Sequence, residues 1–419
     1  MNYTVCNVAI VIWIGVCFNL QSYSYLRKKR NETSLTIKNI ALICYFLFWL
    51  LKPFYLSASG SVQIGDLFLG VSFILLCFGD RLSFGPKEID KYLYYFFGGI
   101  CFVNVLYFII YLETSFLRST LYYVFNFMAL YLYREFESEH NFYDKFAKIQ
   151  KLNIIIQFVL LITGVGEWIY GGSRYIGTYN DPNQLGFGVL SAYCLIFCIS
   201  RKINVKYITV YFAMSVYIIY QSSSTGMLMA IAILFVCEQY FRTSKIKEGF
   251  GKTLYVIYLI IITAVFVLLG IELFRVVLGG ESEIFFLRRL SDKLNKGDNI
   301  IESFIRDRNL GALVENPIYI LFGSGEAMML RFADTHGEIH STWLGFLFYY
   351  GIIPFSFLIT WIKQNLKNLD LYTIPVYACL FLEAFTLVNH RQPSFWTLIA
   401  LAAILKRNND EKCKEHGVV

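Results

Sequence analysis

The chain has 419 residues, of which 57% are hydrophobic and only 16% are charged. Its mean hydropathy of +0.53 is high and argues against an ordinary soluble domain. The formal net charge of +7 comes from Lys and Arg residues that lie mostly between apolar runs, so it gives no reason to expect a nucleic-acid partner.

Apolar runs long enough to cross a bilayer recur along the whole chain. They predict an all-α, polytopic integral membrane protein with about 12–13 transmembrane helices in one domain over residues 1–419. The first run lacks a basic leader and a small-residue cleavage site, which favours a retained span over a signal peptide. The predicted spans are 4–22, 37–56, 61–79, 92–112, 116–133, 152–170, 185–200, 205–220, 226–241, 254–271, 342–362, 371–388 and 393–406.

The basic residues predict how these spans are oriented. With the N-terminus outside, 25 of the 37 Lys and Arg residues fall on the inner side and 12 on the outer side, and 8 of those 12 lie in one long loop. Because basic residues in short loops mark the cytoplasmic face, the C-terminal tail is predicted to be cytoplasmic. The short outer connections hold only Lys52, Arg118, Arg174 and Arg391.

One long hydrophilic segment, residues 272–339, is predicted to face outward, and loops of this length are usually functional or independently folded. Residues 284–294 place apolar side chains at near-helical spacing with basic ones between them, which predicts an amphipathic helix at the membrane surface. Residues 301–315 predict a second helix. None of the ten Cys residues lies in this segment, so no disulfide bond is expected there.

A first polar string, Gly177-Thr-Tyr-Asn-Asp-Pro-Asn-Gln184, stands between two apolar runs. Its Asp181-Pro182 pair predicts a helix start, with Asp181 as the N-cap and proline in the first turn. Arg174 precedes the string in a glycine-rich connection whose backbone could approach a ligand closely. Two interpretations stay open for Arg174: contact with a ligand, or extension toward lipid headgroups.

A second string, His340-Ser-Thr-Trp-Leu344, opens another apolar run, and Ser341 predicts its N-cap. His340 is either a solvated surface residue or a general base. His336 lies four residues earlier, as in a metal-binding pair, but no third ligand is evident and no metal site is predicted.

A third polar cluster, Asn389-His-Arg-Gln-Pro393, interrupts the last apolar stretch. Ionisable residues at such depth are costly and tend to line a cavity, so His390 and Arg391 are candidates for a site. Arg306 and Arg308 in the long segment extend the cationic set, with a solvated helix face as the alternative.

These motifs, in this order and spacing, resemble the O-antigen polymerase and O-antigen ligase superfamily. The resemblance rests on the turn from Gly177 to Asn183, on Asn316-Pro317 followed by Phe322-Gly-Ser-Gly325, and on His340-Ser-x-Trp-Leu344 with Gly351 downstream. It covers the whole chain in topology and residues 150–395 in motifs. One departure is Ser222-Ser-Ser-Thr-Gly226, where many relatives carry Ser-Arg-Gly.

The resemblance implies a metal-independent membrane glycosyltransferase at the periplasmic face of a bacterial inner membrane, with 272–339 as a periplasmic loop. The substrate would be an oligosaccharide linked to polyprenyl diphosphate, without a cofactor, and a chain-length regulator in the membrane is a candidate partner. His340 would be the general base, and Arg174 a second catalytic residue at the diphosphate. The residues implied in substrate binding are Tyr179, Asp181, Asn183, Arg288, Arg289, Arg306, Arg308 and Arg391.

The favoured function is therefore polymerisation of lipid-linked repeat units into O-antigen polysaccharide. The alternatives are an O-antigen ligase, which transfers glycan to lipopolysaccharide core, and a capsule or common-antigen polymerase with the same chemistry. A third alternative, a flippase or other transporter of lipid-linked oligosaccharide, would be expected to show internal repeats and charged residues along its helices. The sequence shows neither.

Overall fold

The computed structural model describes residues 37–55, 63–79, 87–243, 305–306, 308–327, 332, 338–367, 369–370 and 372–415, without the side chains of 225, 238–243 and 406–415. The described part is mostly helical, as the all-α prediction requires. The predicted spans 4–22 and 254–271 and the predicted amphipathic helix 284–294 lie outside the described residues.

The elements of the described part follow one another along the chain and are numbered here in that order. The helices are α1 (Ile37–Leu51), α2 (Ile64–Gly79), α3 (Lys91–Tyr111), α4 (Ser115–Phe136), α5 (Phe142–Ile162), α6 (Pro182–Ile199), α7 (Ile208–Ser222), α8 (Thr225–Thr243), α9 (Gly311–Glu315), α10 (Tyr319–Phe322), α11 (Thr342–Tyr350), α12 (Ile352–Leu366), α13 (Ile374–Thr386) and α14 (Pro393–Glu415). A 3₁₀ turn, Glu88–Asp90, leads into α3, and two strands, β1 (Glu167–Ile169) and β2 (Arg174–Gly177), lie between α5 and α6.

The core between these helices is apolar and rich in aromatic rings. α1 packs along α2, and Tyr45 and Trp49 of α1 meet Phe136, Phe142 and Phe146. Two helical stretches, Glu88–Tyr111 and Pro182–Ile199, are long and apolar enough to cross a membrane; other apolar helices of the described part are shorter.

The connection that carries Arg174 is a small antiparallel hairpin, not the open loop that its glycines suggested. Trp168 pairs with Tyr175, and Ile169 pairs with Arg174. Gly171 and Gly172 have φ angles of 65° and 86° at the turn. Glycine adopts such positive φ angles at little cost, so the glycines shape the turn and position Arg174 on a strand.

Two predicted helices are interrupted in the structure. The predicted span 342–362 is divided by Gly351, at a φ of 80°, into α11 and α12. The predicted helix 301–315 is broken at 308–310, where Asn309 has a φ of 53°, and only α9 follows. Both predictions were wrong in this respect. The sequence pattern of each run continues past the residue at which the backbone leaves the helical conformation, so the pattern does not reveal the break.

One end of the bundle is fixed by a buried ion-pair network. Arg134 on α4 donates to both carboxylate oxygens of Asp90 at 2.9 and 3.1 Å and to the side chain of Asn365 on α12. Trp361 Nε1 donates to Asp90 Oδ1, and the Ala400 carbonyl on α14 accepts from Arg134. A small cleft beside Arg134 belongs to this network, whose charges are paired among themselves.

The opposite end collects the polar strings. The end of α1, the hairpin, the start of α6 and the α7–α8 turn all lie there, as do the start of α11 and the α13–α14 connection. The segment 323–327 reaches deeper, because its backbone pairs with Phe348 and Tyr349 and its Glu326 contacts Tyr123 on α4. Tyr123 lies eight residues into α4, or about 12 Å from its start at 1.5 Å per residue.

Candidate functional site

Arg174 is directed into the protein, with 6% of its surface exposed, and so does not extend toward lipid headgroups. Its Nε donates to the Ser222 carbonyl at 2.9 Å, at the C-terminal end of α7. Its Nη2 donates to Asn183 Oδ1 at 3.2 Å. A cation at a helix C-terminus satisfies a free carbonyl and interacts favourably with the helix dipole. Arg174 therefore joins the hairpin, the start of α6 and the α7–α8 turn.

The first polar string forms the predicted cap of α6. Asp181 accepts from the backbone N–H groups of Asn183 at 2.8 Å and Gln184 at 3.2 Å, and Pro182 occupies the first turn, so both predictions are confirmed. Asn183 Oδ1 accepts from Arg174 and from Ser224 Oγ at once. Tyr179 packs against Tyr55 and crosses over α6, where a Cβ at Gly188 would lie only 2.2 Å from its hydroxyl.

Tyr55, just past the end of α1, connects the first string to the third. Its hydroxyl donates to Gln184 Oε1 at 2.5 Å and accepts from Gln392 Nε2 at 3.5 Å. Residues 208 positions apart in the sequence are thus separated by a single side chain. This contact could not be predicted from the sequence, because a tyrosine near a helix end is common at any membrane–water interface.

Glu326 is the centre of the third cluster. It is 2% exposed, and its Oε2 accepts from the hydroxyls of Tyr123 at 2.7 Å and Tyr350 at 2.6 Å. Its Oε1 accepts from Arg391 Nη2 at 2.6 Å, and its backbone N–H donates to Asn104 Oδ1. A buried carboxylate is tolerated when charge-assisted hydrogen bonds of this kind surround it.

The charge state of Glu326 follows from these partners. Burial by itself raises the pKa of the carboxyl group, but the Arg391 guanidinium, with His390 and the Tyr350 hydroxyl, outweighs burial and lowers the pKa. Burial likewise opposes the charge of Arg391, and the carboxylates of Glu326 and Glu338 outweigh it and raise the pKa of Arg391. Both groups are therefore ionised at neutral pH.

Arg391 joins two carboxylates of very different exposure. Its Nη2 contacts the buried Glu326, and its Nη1 donates to Glu338 Oε2 at 3.1 Å, with a second contact to Glu338 Oε1. The Glu338 side chain is 27% exposed and the Arg391 side chain 31% exposed. The guanidinium carbon lies 5.4 Å from the centre of the Tyr122 ring, a cation–π contact that stabilises the position of the guanidinium over the ring.

His340 is exposed and lies just before α11. Ser341 caps that helix through Leu344 N, as predicted, and the His340 backbone N–H donates to the Arg308 carbonyl at 3.0 Å. The guanidinium of Arg308 in turn donates to the Thr386 carbonyl at the end of α13. His340 and Arg308 are thus brought together by backbone pairing, although 31 residues separate them.

His390 is 1% exposed and stacks on the ring of Tyr123, with the ring centroids 5.6 Å apart. Its Nε2 lies 3.7 Å from Glu326 Oε1. Neither ring nitrogen has a hydrogen-bond partner within the described part of the chain. His390 therefore belongs to the interior next to Glu326 and not to the outer surface.

A further buried carboxylate, Glu383, lies on α13 three residues before Thr386, whose carbonyl accepts from Arg308. Thr386 Oγ1 donates to its Oε2 at 3.4 Å, and a Cβ at Gly226 would lie 2.9 Å from its Oε1. Glycine at 226 lets α8 approach this carboxylate closely. The stretch Ser222–Gly226, where this sequence differs from the Ser-Arg-Gly of many relatives, thus borders both Arg174 and Glu383.

Of the predicted site residues, Arg174, Asn183, Arg308 and Arg391 belong to one connected polar network, and His340 joins it through its backbone N–H. Arg306 is described and exposed, whereas Arg288 and Arg289 lie outside the described residues. Sequence reasoning missed Glu326, Glu338, Glu383, Tyr123 and Tyr350, since a single Glu or Tyr carries no motif. Glu326 directly follows the Gly323-Ser-Gly325 turn, which was the one available signal.

No group of three or more His, Cys, Asp or Glu side chains suited to a metal ion is found among the residues that the structure describes. Because His336 is not among them, the absence of a metal at the His336–His340 pair stays a prediction.

No model of a known protein family matches this sequence, and no curated protein matches it either.

Proposed function

We propose that the protein is a membrane glycosyltransferase that polymerises polyprenyl-diphosphate-linked repeat units into O-antigen polysaccharide at the periplasmic face of a bacterial inner membrane. The growing glycan would move from its own lipid diphosphate to a sugar hydroxyl of another lipid-linked unit. The resemblance of the three polar strings to the O-antigen polymerase and ligase superfamily supplies the reaction class.

A membrane location is supported by the surface of α3. This helix carries large apolar side chains on its outside, including Phe102 at 70% exposure, Ile109 and Ile110. In the most apolar 18-residue stretch of Glu88–Tyr111, only 28% of the residues are buried inside the protein, in contrast to 78% for α6. A contiguous apolar surface of this kind in water would be an aggregation hazard, whereas lipid tails cover it at no cost.

The observation that carries the proposal is that the three strings meet in one connected network. Arg174 joins the α7–α8 turn to Asn183, and Tyr55 joins the neighbouring Gln184 to Gln392. Arg391 joins Glu338, two residues before His340. Cations from three distant parts of the chain thus lie at one end of the bundle, and the exposed His340 is tied to the same end by its backbone N–H.

This set of groups suits the chemistry of transfer from a glycosyl diphosphate. The bond between the anomeric carbon and the diphosphate oxygen breaks, a bond from the acceptor oxygen to that carbon forms, and the acceptor proton leaves. Arginines can stabilise the departing diphosphate without a metal. His340, exposed on a fixed backbone, would take the proton. The site lies at the end of the bundle, where a donor can react while its lipid tail stays in the bilayer.

The test is a gel of lipopolysaccharide from a strain that lacks this gene. The proposal predicts that the ladder disappears while one repeat unit remains attached to core. Bare core with accumulated lipid-linked polymer would identify a ligase instead. An unchanged ladder would contradict both functions.

A further inference from the structure

The arginines of the site differ in the groups to which they donate hydrogen bonds. Arg174 and Arg308 each donate to a main-chain carbonyl at a helix end, Ser222 and Thr386 respectively. Those carbonyls belong to packed helices and cannot move aside without unfolding a helix turn. Arg391 holds two side chains, and only side-chain rotation is needed to release one of them.

The two carboxylates on Arg391 are not equivalent. Glu326 is buried and is fixed by two tyrosine hydroxyls as well as by Arg391. Glu338 is the more exposed of the two, and within the described part of the chain its carboxylate accepts hydrogen bonds from Arg391 alone. Exposed ion pairs contribute little net free energy, so the Glu338 pair is the weaker one.

The backbone at Glu338 is anchored independently of its side chain. The Glu338 carbonyl accepts from Asn309 Nδ2 at 2.9 Å, and the Ile339 N–H donates to Tyr349 Oη at 3.1 Å. The His340 N–H donates to the Arg308 carbonyl. Three successive residues are therefore held in place, and Glu338 can leave Arg391 by rotation of its side chain alone.

We propose that Arg391 is an anion-exchange site, in which the Glu338 carboxylate occupies the position of a phosphate group and gives way when a phosphate-bearing ligand binds. A planar guanidinium binds carboxylate and phosphate oxygens in the same paired geometry, so one anion can replace the other. Glu326 stays in place and orients the guanidinium, which makes it a positioning residue. The choice of a diphosphate as the ligand rests on the proposed function.

Such an exchange also affects which anions Arg391 binds. With Glu338 bound, the charge of Arg391 is neutralised and stray anions gain little there. A diphosphate carries more negative charge than a carboxylate and competes successfully, whereas a weaker anion does not. The exchange thus makes the site selective for phosphate-rich ligands.

The experiment measures binding of inorganic pyrophosphate and of farnesyl diphosphate to the purified full-length protein in detergent. Replacing Glu338 by Gln removes the competing anion, and we expect both probes to bind about tenfold more tightly, the scale of one charge-assisted hydrogen bond. Glu338→Asp keeps the charge but shortens its reach, and it should also tighten binding. Glu315→Gln, at an exposed glutamate at the end of α9, is the matched control and should leave affinity unchanged.

The double variant Glu338→Gln/Arg391→Gln separates local exchange from a general charge effect. The exchange predicts that the gain from Glu338→Gln disappears when Arg391 is replaced. A gain that persists without Arg391, or an unchanged or weaker affinity in Glu338→Gln, would overturn it. If the protein binds farnesyl diphosphate but not pyrophosphate, the ligand is lipid-linked. If it binds the two probes equally well, it recognises the diphosphate group itself. Since no glycan transfer is measured, failure of the exchange is distinguishable from failure of the proposed function.

Discussion

Arg174 and Glu326 are the two buried charged residues around which the candidate site is built. Each is buried and charged, and each has its polar groups engaged by named partners on other elements. Arg174 was visible in the sequence because a lone arginine among glycines is conspicuous. Glu326 was not visible, because only the folded chain places it between Tyr123, Tyr350 and Arg391.

Replacing Arg174 by Ala is expected to abolish polymer formation. The change removes hydrogen bonds to Ser222 and Asn183, each worth about 1.5–3 kcal/mol for a charged group, together with positive charge at the proposed diphosphate position. Arg174→Lys should restore little, because one ammonium group does not reproduce the planar fork. Chain growth and protein level in the membrane are measured together, with exposed Arg118→Ala as the control. Full activity of Arg174→Ala would show that this arginine only connects structural elements and takes no part in the reaction.

The two partners of Arg391 are expected to differ in their effect on stability. Glu326→Gln removes the buried member of the pair and should cost up to about 3 kcal/mol, whereas Glu338→Gln should cost less than about 1 kcal/mol. Because the pKa of Glu326 is lowered on folding, its contribution is complete above the ordinary value of about 4.3 and is lost as the pH falls through the lowered pKa. Thermal unfolding in detergent, recorded from pH 8 down to about pH 2, checks both statements. An equal loss in the two variants would contradict the assignment of Glu326 as the fixed partner.

At the scale of elements, the site is built from the ends of helices. α6 and α11 begin at the predicted caps Asp181 and Ser341, and these could be read from the sequence because capping needs only a local pattern. The break at Gly351 could not be read in this way. Its glycine faces Gly323 from a distant segment, and nothing in the local apolar pattern records that approach.

Gly351→Ala tests this break. A Cβ there would lie 2.6 Å from the Leu321 carbonyl oxygen and 2.8 Å from Gly323 N, on a backbone with φ of 80° that L-residues rarely adopt. We expect a loss of more than about 2 kcal/mol in stability and, because Gly323 leads into Glu326, a loss of activity. Gly98→Ala is the matched control: it lies inside α3 with open space around it, and should be neutral or stabilising by up to about 1 kcal/mol. Similar unfolding temperatures for the two variants would contradict this account of α11 and α12.

At the scale of the molecule, the sequence predicted the helical class well because apolar periodicity and length determine it directly. The same reasoning could not predict which helix ends meet, since the contact of Tyr55 with Gln184 and Gln392 depends on packing of the whole bundle. It also missed the hairpin that carries Arg174, because strands of three and four residues leave too short a pattern to detect.

Outward placement of the polar network stays a prediction from the charge distribution and can be tested by labelling. Single Cys residues at Ser173 and Glu315 should react with a membrane-impermeant thiol reagent in cells whose outer membrane admits it. Cys at the exposed Lys148, near the start of α5, should react only after the inner membrane is opened. The reverse pattern would overturn the topology and place the network on the cytoplasmic side.

The most direct measurement supplies the purified protein with synthetic polyprenyl-diphosphate repeat units and follows chain growth. The account predicts polymer from the wild-type protein, with or without a chelator, and a loss of about 10²–10⁴-fold in His340→Ala, the usual effect of removing one positioned base. Donor binding should persist in that variant, and His336→Ala should be much milder. No chain growth by the wild-type protein would contradict the proposed reaction. Growth that stops with chelator, together with a His336→Ala variant as inactive as His340→Ala, would show that the two histidines hold a metal instead.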